Sequence, residues 1–177
     1  MGLGTRKIAG VSLLLAMSLI AFMLENFLPP MFIPGAKLGL GNAFSLLALV
    51  LYSPYAAILV VVLRCVIGNL IAGSLSSMIF GLCAGAASIT LSILLWQFAF
   101  PKVTLVCISV SAAVVHNIVQ CLVFCAISET WQAVVYLPYL VLLGAISGFA
   151  VGLASVLVVK RIPSRMFAKV GANVALS

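Results

Sequence analysis

Polar positions along this chain are few and clustered, and long apolar runs lie between them. The runs extend from Ile8 to Leu24, Leu38 to Tyr52, Tyr55 to Ala72, Ser77 to Phe98, Val103 to Ile127 and Val134 to Val159. A helix needs about 20 apolar residues to cross a hydrocarbon core of about 30 Å. The pattern therefore predicts an all-α integral membrane protein, a bundle of six transmembrane helices forming a single domain over residues 1–177. Turn residues or charges break the runs at Leu28-Pro29-Pro30 through Pro34-Gly35, at Ser53-Pro54, Gly73-Ser74 and Pro101-Lys102, and at Ser128-Glu129-Thr130. No soluble domain fits between them. The first run follows Arg6-Lys7, as a secretory signal does, but it is longer than a signal core. Its end, Glu25-Asn26-Phe27-Leu28-Pro29, lacks the small-x-small site of a signal peptidase, so a permanent helix is expected.

Composition sharpens the class. Of 177 residues 66% are hydrophobic and 6% charged, which excludes a cytosolic globular domain. Aspartate is absent, so Glu25 and Glu129 carry every acidic role. The net charge of +7 does not point to nucleic acid, because the basic residues sit at the edges of apolar runs instead of forming a solvated face. They report topology and membrane lipid contact. Joining Leu38 to Ala72 into one kinked element would give five helices, and charge decides against it. Six crossings with both termini cytoplasmic place Arg6, Lys7, Lys102, Lys160, Arg161, Arg165 and Lys169 inside, including a basic tail over 160–177, and only Lys37 outside. Five crossings would put that tail outside, against the positive-inside bias. The five cysteines, Cys65, Cys83, Cys107, Cys121 and Cys125, lie within apolar runs without C-x-x-C spacing and read as small buried hydrophobes.

Small residues recur at helical spacing in Ser12-x-x-x-Ala16, Gly81-x-x-x-Gly85 and Gly144-x-x-x-Gly148. Such pairs let helix backbones approach where lipid offers no hydrophobic drive, either within the bundle or toward a partner.

Three places carry candidate chemistry. Arg64 lies near the middle of the third run, where an arginine costs about 2.5 to 3.5 kcal/mol on insertion scales. It should face a polar cavity or partner: either an anionic ligand gripped by the planar guanidinium, or a structural pair with Glu25 or free carbonyls. In the fifth run Ser109, His116 and Gln120 share one helical face with Asn117 beside it, a stripe that must point inward. His116 is either interhelical glue or a ligand contact, and zinc is not expected because no second histidine exists. The segment from Glu25 to Asn42 is too apolar for a free loop. Pro29, Pro30 and Pro34 restrict it, and Met31, Phe32 and Ile33 would prefer to fold over the bundle as an outward lid. Lys37 opens the second helix, so its ammonium and the free N–H groups there would hold an anion, or else the loop is interfacial with Lys37 snorkelling to headgroups.

Soluble-enzyme signatures are missing. There is no G-x-x-x-x-G-K-[ST] phosphate loop, Gly39-x-Gly41 follows no strand, and the single histidine has no aspartate to orient it. No cofactor is called for.

The segment Pro34-Gly35-Ala36-Lys37-Leu38-Gly39-Leu40-Gly41-Asn42, preceded by Glu25 at the end of the first helix, resembles the bacterial Gx transporter family, also labelled heptaprenyl diphosphate synthase component I. The similarity in segment order runs over roughly residues 8 to 160. That family is similar to the substrate-binding S components of energy-coupling-factor (ECF) vitamin transporters, six-helix proteins of the bacterial cytoplasmic membrane. The resemblance implies a small-molecule pocket near the outer face capped by the first loop. It also implies a separate module of two ATPases and a transmembrane coupling subunit. In those components a small-x-x-x-small pattern on the first helix meets the coupling subunit; Ser12 and Ala16 occupy the matching place, with serine where alanine is usual. The enzyme label conflicts with the residues, since prenyl elongation aligns a diphosphate through Mg²⁺ on aspartate-rich motifs. The substrate-binding candidates are thus Glu25, Lys37, Asn42, Arg64, Asn69, His116, Asn117 and Gln120, with none for catalysis or metal. Two functions stand: an S component taking up an anionic or amphipathic molecule such as an isoprenoid or quinone precursor, and a non-catalytic accessory subunit of isoprenoid, quinone or extracellular electron-transfer machinery.

Overall fold

The computed structural model describes residues 2–27 and 39–162. Over these residues the chain is helical and contains no strand. The elements are α1 (Gly2–Phe27), α2 (Gly41–Leu51), α3 (Pro54–Ile71), α4 (Leu75–Leu94) continued by a π-helical turn (Leu95–Ala99), α5 (Leu105–Ser128), a 3-10 helix (Trp131–Tyr136) and α6 (Leu137–Arg161).

The breaks between apolar runs become caps. Ser53 accepts from the Ala56 N–H at 3.2 Å with Pro54 in the first turn, Ser74 from Ser77 at 3.3 Å, and Thr104 from Cys107 at 3.3 Å. Each side-chain oxygen satisfies one of the orphan donors of a helix start. The Ser53-Pro54 break thus separates α2 from α3 instead of kinking one longer helix. Two starts differ from expectation. The second helix opens at Gly41, because Gly39 sits at φ +71 and interrupts the helical path. Lys37, expected to open this helix, lies outside the described residues. The sixth opens at Leu137, since Trp131–Tyr136 winds as a 3-10 helix first.

Five of the helices are long and apolar enough to cross a membrane, and α2 is shorter. Its 11 residues rise roughly 16 Å. It is instead the centre of the bundle: Gly41 and every residue from Ser45 to Leu51 are buried, and α2 touches each of the other five helices. A helix apolar all round is a buried one. Around it α3 packs on α4, α4 on α5 and α5 on α6, while α1 lies against α2 and α3. Leu49, Val50, Val60, Ile108 and Val159 fill the shared core.

The outer surface is apolar, with Leu13, Phe98, Leu142 and Leu157 more than half exposed, while Ser18, Arg64, Asn69, Ser88, His116 and Gln120 are buried. That inversion of the soluble arrangement, together with the five long helices, makes the chain a multi-pass membrane protein. Cys65, Cys121 and Cys125 are buried as expected, but Cys83 and Cys107 are exposed on the outer surface. Lipid accepts a small apolar thiol as readily as a core does.

The α5–α6 contact is a glycine seam. A Cβ built on Gly148 would fall 2.8 Å from the Val110 Cα and 2.9 Å from the Ala113 Cβ, and one on Gly152 would fall 2.8 Å from the Val106 Cα. Both obstructions include backbone, which cannot swing aside. The glycines therefore serve packing within the chain, whereas Ser12 and Ala16 face outward on α1. Gly148→Val should force the two helices apart and cost about 1–3 kcal/mol, lowering the melting temperature in detergent. Gly4→Val, where nothing lies within 4 Å, should leave it unchanged.

Candidate functional site

Polar side chains gather in two places. The first surrounds the N-terminus of α2. Gly41 packs against the Arg64 guanidinium so closely that a Cβ there would meet Nη1 at 2.2 Å, and Ser18 of α1 donates to the Gly41 carbonyl at 3.1 Å. Arg64 lies two helical turns before the end of α3, so α2 starts roughly 10 Å inside the bundle. A helix start at that depth exposes unpaired N–H groups and a partial positive charge to a dry interior. The chain answers locally: Asn42 and Ala43 donate to the carbonyls of Gly39 and Leu40, and the Leu40 N–H donates to the Glu25 carboxylate. Glu25 thus supplies a negative group at the positive end of α2. Arg64, 3% exposed, donates through Nη2 to the Asn42 Oδ1 at 2.9 Å, and its Nε has no partner among the described residues.

The second place lies on α5. Ser109, His116, Asn117 and Gln120 are all buried, as one inward face requires. Asn117 donates to the Leu140 carbonyl of α6 at 2.9 Å. Gln120, 5% exposed, has no hydrogen-bond partner for its Oε1 among the described residues. Beside them opens a cavity of about 420 Å³. Its walls come from the last turns of α5, the 3-10 helix and the first turn of α6, including Asn117, Gln120, Phe124, Thr130, Tyr136 and Leu140. The seam explains its position. Where α6 carries Gly144, Gly148 and Gly152 the helices touch closely; one turn earlier the positions are the bulkier Leu140, packed on Cys121 and Cys125 of α5, and then Tyr136, and both line the cavity. Phe124 is fixed as a wall by an edge-to-face contact with Phe80 of α4, centroids 5.7 Å apart.

A smaller void, about 20 Å³, lies deeper, among Asn42, Ser45, Ser88, Ser92 and Ser109. It has room for about one water. The structure therefore groups Glu25, Asn42 and Arg64 at the start of α2, and Asn117 and Gln120 at the large cavity. His116 is buried on α5, and Asn69 turns back to donate to its own helix at the Cys65 carbonyl, 2.7 Å away. The lid segment and Lys37 fall in 28–38, outside the described residues. Sequence reasoning did not single out Thr130, Gln132 and Tyr136 on the 3-10 helix, or Ser88 and Ser92. The serines had a signal, two hydroxyls one turn apart in an apolar run; the 3-10 residues had none before their neighbours were known.

The family model described as heptaprenyl diphosphate synthase component I matches residues 14–158. No curated protein and no solved structure matches the chain.

The α2 cluster generates a stability prediction. Asn42→Leu strips the buried guanidinium of the partner at 2.9 Å and should cost about 1.5–3 kcal/mol, read as a lowered melting temperature in detergent. Adding Arg64→Met removes the stranded charge, and the double variant should recover a large part of the loss; strictly additive losses would mean that the two residues are not coupled.

Proposed function

From the heptaprenyl diphosphate synthase component I family, to which the chain belongs, we propose a substrate-binding membrane subunit that works with partners and carries no reaction of its own. The cavity at the head of the α5–α6 seam supports this reading most directly. Its volume of about 420 Å³ is in the range of small-molecule sites, roughly 300–1,000 Å³, and its walls are mostly apolar with a few polar groups. The bound molecule would be small and amphipathic, such as an isoprenoid or quinone precursor. The assembly would be of the ECF type, in which two ATPases and a coupling subunit supply the energy and the outward face of α1 with Ser12 and Ala16 provides the contact. The missing phosphate loop is consistent with that division of labour.

The family's description favours a second reading, a membrane component of a prenyl diphosphate synthase whose chemistry resides in another chain. The same residues argue against catalysis here in either case. With no aspartate, the chain lacks the means of holding Mg²⁺-bridged diphosphate that prenyl elongation uses.

Native mass spectrometry of the protein purified gently from its own membrane separates the readings. Copurified ATPases and a retained small molecule are expected; a soluble prenyltransferase as the retained partner, with no ATPase, would favour the second. The topology that goes with the proposal has both termini on the cytoplasmic side of a bacterial cytoplasmic membrane. In a cysteine-free background, Ser177→Cys should react with an impermeant reagent only after lysis. Labelling of intact cells would overturn that orientation.

A further inference from the structure

The buried cation Arg64 and the large cavity are in different places, and this separation bears on what the cavity accepts. Resting on the reading of the cavity as a ligand site, we propose that it selects an uncharged amphipathic molecule, recognised through the amide of Gln120, and excludes anions. None of its ten lining residues carries a charge. Arg64, the buried cation, lines neither cavity; its guanidinium lies against Gly41 and bonds to Asn42.

An anion entering this cavity would leave its hydration shell with no positive group among the described lining residues to replace it, which is the most costly form of burial. A hydroxyl, carbonyl or amide gives up only one or two water hydrogen bonds. Gln120 can restore these, because its amide both donates and accepts. The neighbouring Asn117 has already committed its Nδ2 to Leu140, whereas the buried Gln120 amide has no hydrogen bond to its Oε1 among the described residues. Phe124, Val135 and Leu140 offer an apolar surface for the rest of the molecule.

Gln120 also gives a signature that a structural residue would not. Its Oε1 is buried without a hydrogen-bond partner among the described residues, so Gln120→Leu removes an unsatisfied group at little change in volume and should leave the melting temperature equal or higher. Ligand affinity should fall about tenfold in the same variant, as expected for losing one or two hydrogen bonds. Geraniol and geranyl diphosphate are matched probes with one tail and different heads. Binding to the protein in nanodiscs can be followed by Trp131 emission, since Trp131 adjoins Thr130 and Gln132 of the cavity wall and Trp96 is buried far away against Phe100. Saturable binding of geraniol is expected, weakened about tenfold by Gln120→Leu without thermal destabilisation, with the diphosphate at least tenfold weaker than the alcohol. Diphosphate binding as tight as the alcohol, or geraniol affinity unchanged by Gln120→Leu, would overturn the inference while leaving the cavity a ligand site. Saturation by neither probe would overturn both the inference and the cavity reading.

Discussion

In hydrocarbon, water is not present to satisfy polar groups, so every one that enters the bundle must find its partner there. The start of α2 is where this constraint acts most strongly. A helix of 11 residues placed at the centre of the bundle has at least one end far from water, and here that end meets Ser18, Glu25, Asn42 and Arg64. Four side chains, two from α1, one from α2 and one from α3, converge on one helix terminus. Because α2 in turn touches all five other helices, the positions of α4, α5 and α6 depend on how that terminus is held. Buried arginine is usually poor evidence for stability, since its desolvation offsets most of what it gains. Its value here is positional: glycine at residue 41 is the one side chain small enough to let the guanidinium approach the α2 backbone.

The helices could be read from the sequence because lipid imposes a length and a polarity that composition alone expresses. Apolar runs gave the helices, and Ser53, Ser74 and Thr104, ordinary residues in the sequence, proved to be their caps. The inward face of α5 was legible for the same reason, since Ser109, His116 and Gln120 recur at helical spacing. Their individual roles were not. Asn117 and Gln120 are chemically alike and three residues apart, yet Asn117 reaches the Leu140 carbonyl and Gln120 borders the cavity. Only the path of α6 distinguishes them, and that path depends on contacts far away in sequence. The start of α2 failed for a local reason: Leu38 continues the apolar run, but a glycine at φ +71 overrides it.

Magnitudes separate the two polar clusters. A buried amide without a hydrogen bond costs about 1–3 kcal/mol, a sizeable share of a marginal folding free energy. Arg64 at least recovers a charge-assisted bond to Asn42 for its burial. The cost at Gln120 is not offset by any hydrogen bond to its Oε1 within the described residues, and the residue borders the 420 Å³ cavity. Ser155 provides a comparison. Its Oγ also has no partner among the described residues, but it lines neither cavity, so nothing there connects the unmet bond to a ligand. Among the described residues, Gln120 combines an unmet bond with a place on the wall of the 420 Å³ cavity, which is why the proposed recognition rests on it.

The same pair of helices accounts for both the rigidity and the opening of that space. From Gly144 to Gly152 the backbones of α5 and α6 are in contact, and any side chain added there meets main-chain atoms that cannot yield. Beyond Gly144 the small residues stop: Leu140 packs against Cys121 and Cys125 of α5, and the cavity opens beside it and Tyr136. The cavity therefore has one side anchored to a seam that resists separation. Its other side is the 3-10 helix Trp131–Tyr136, none of whose residues is buried. A wall without buried residues has few packing contacts to lose when it moves, whereas opening the seam would forfeit close contacts along two full turns. On the proposed reading of the cavity as a ligand site, shape adjustment to a bound molecule would fall on the 3-10 helix, while Gln120, carried by α5, would keep its position as the opposite wall accommodates the rest of the molecule.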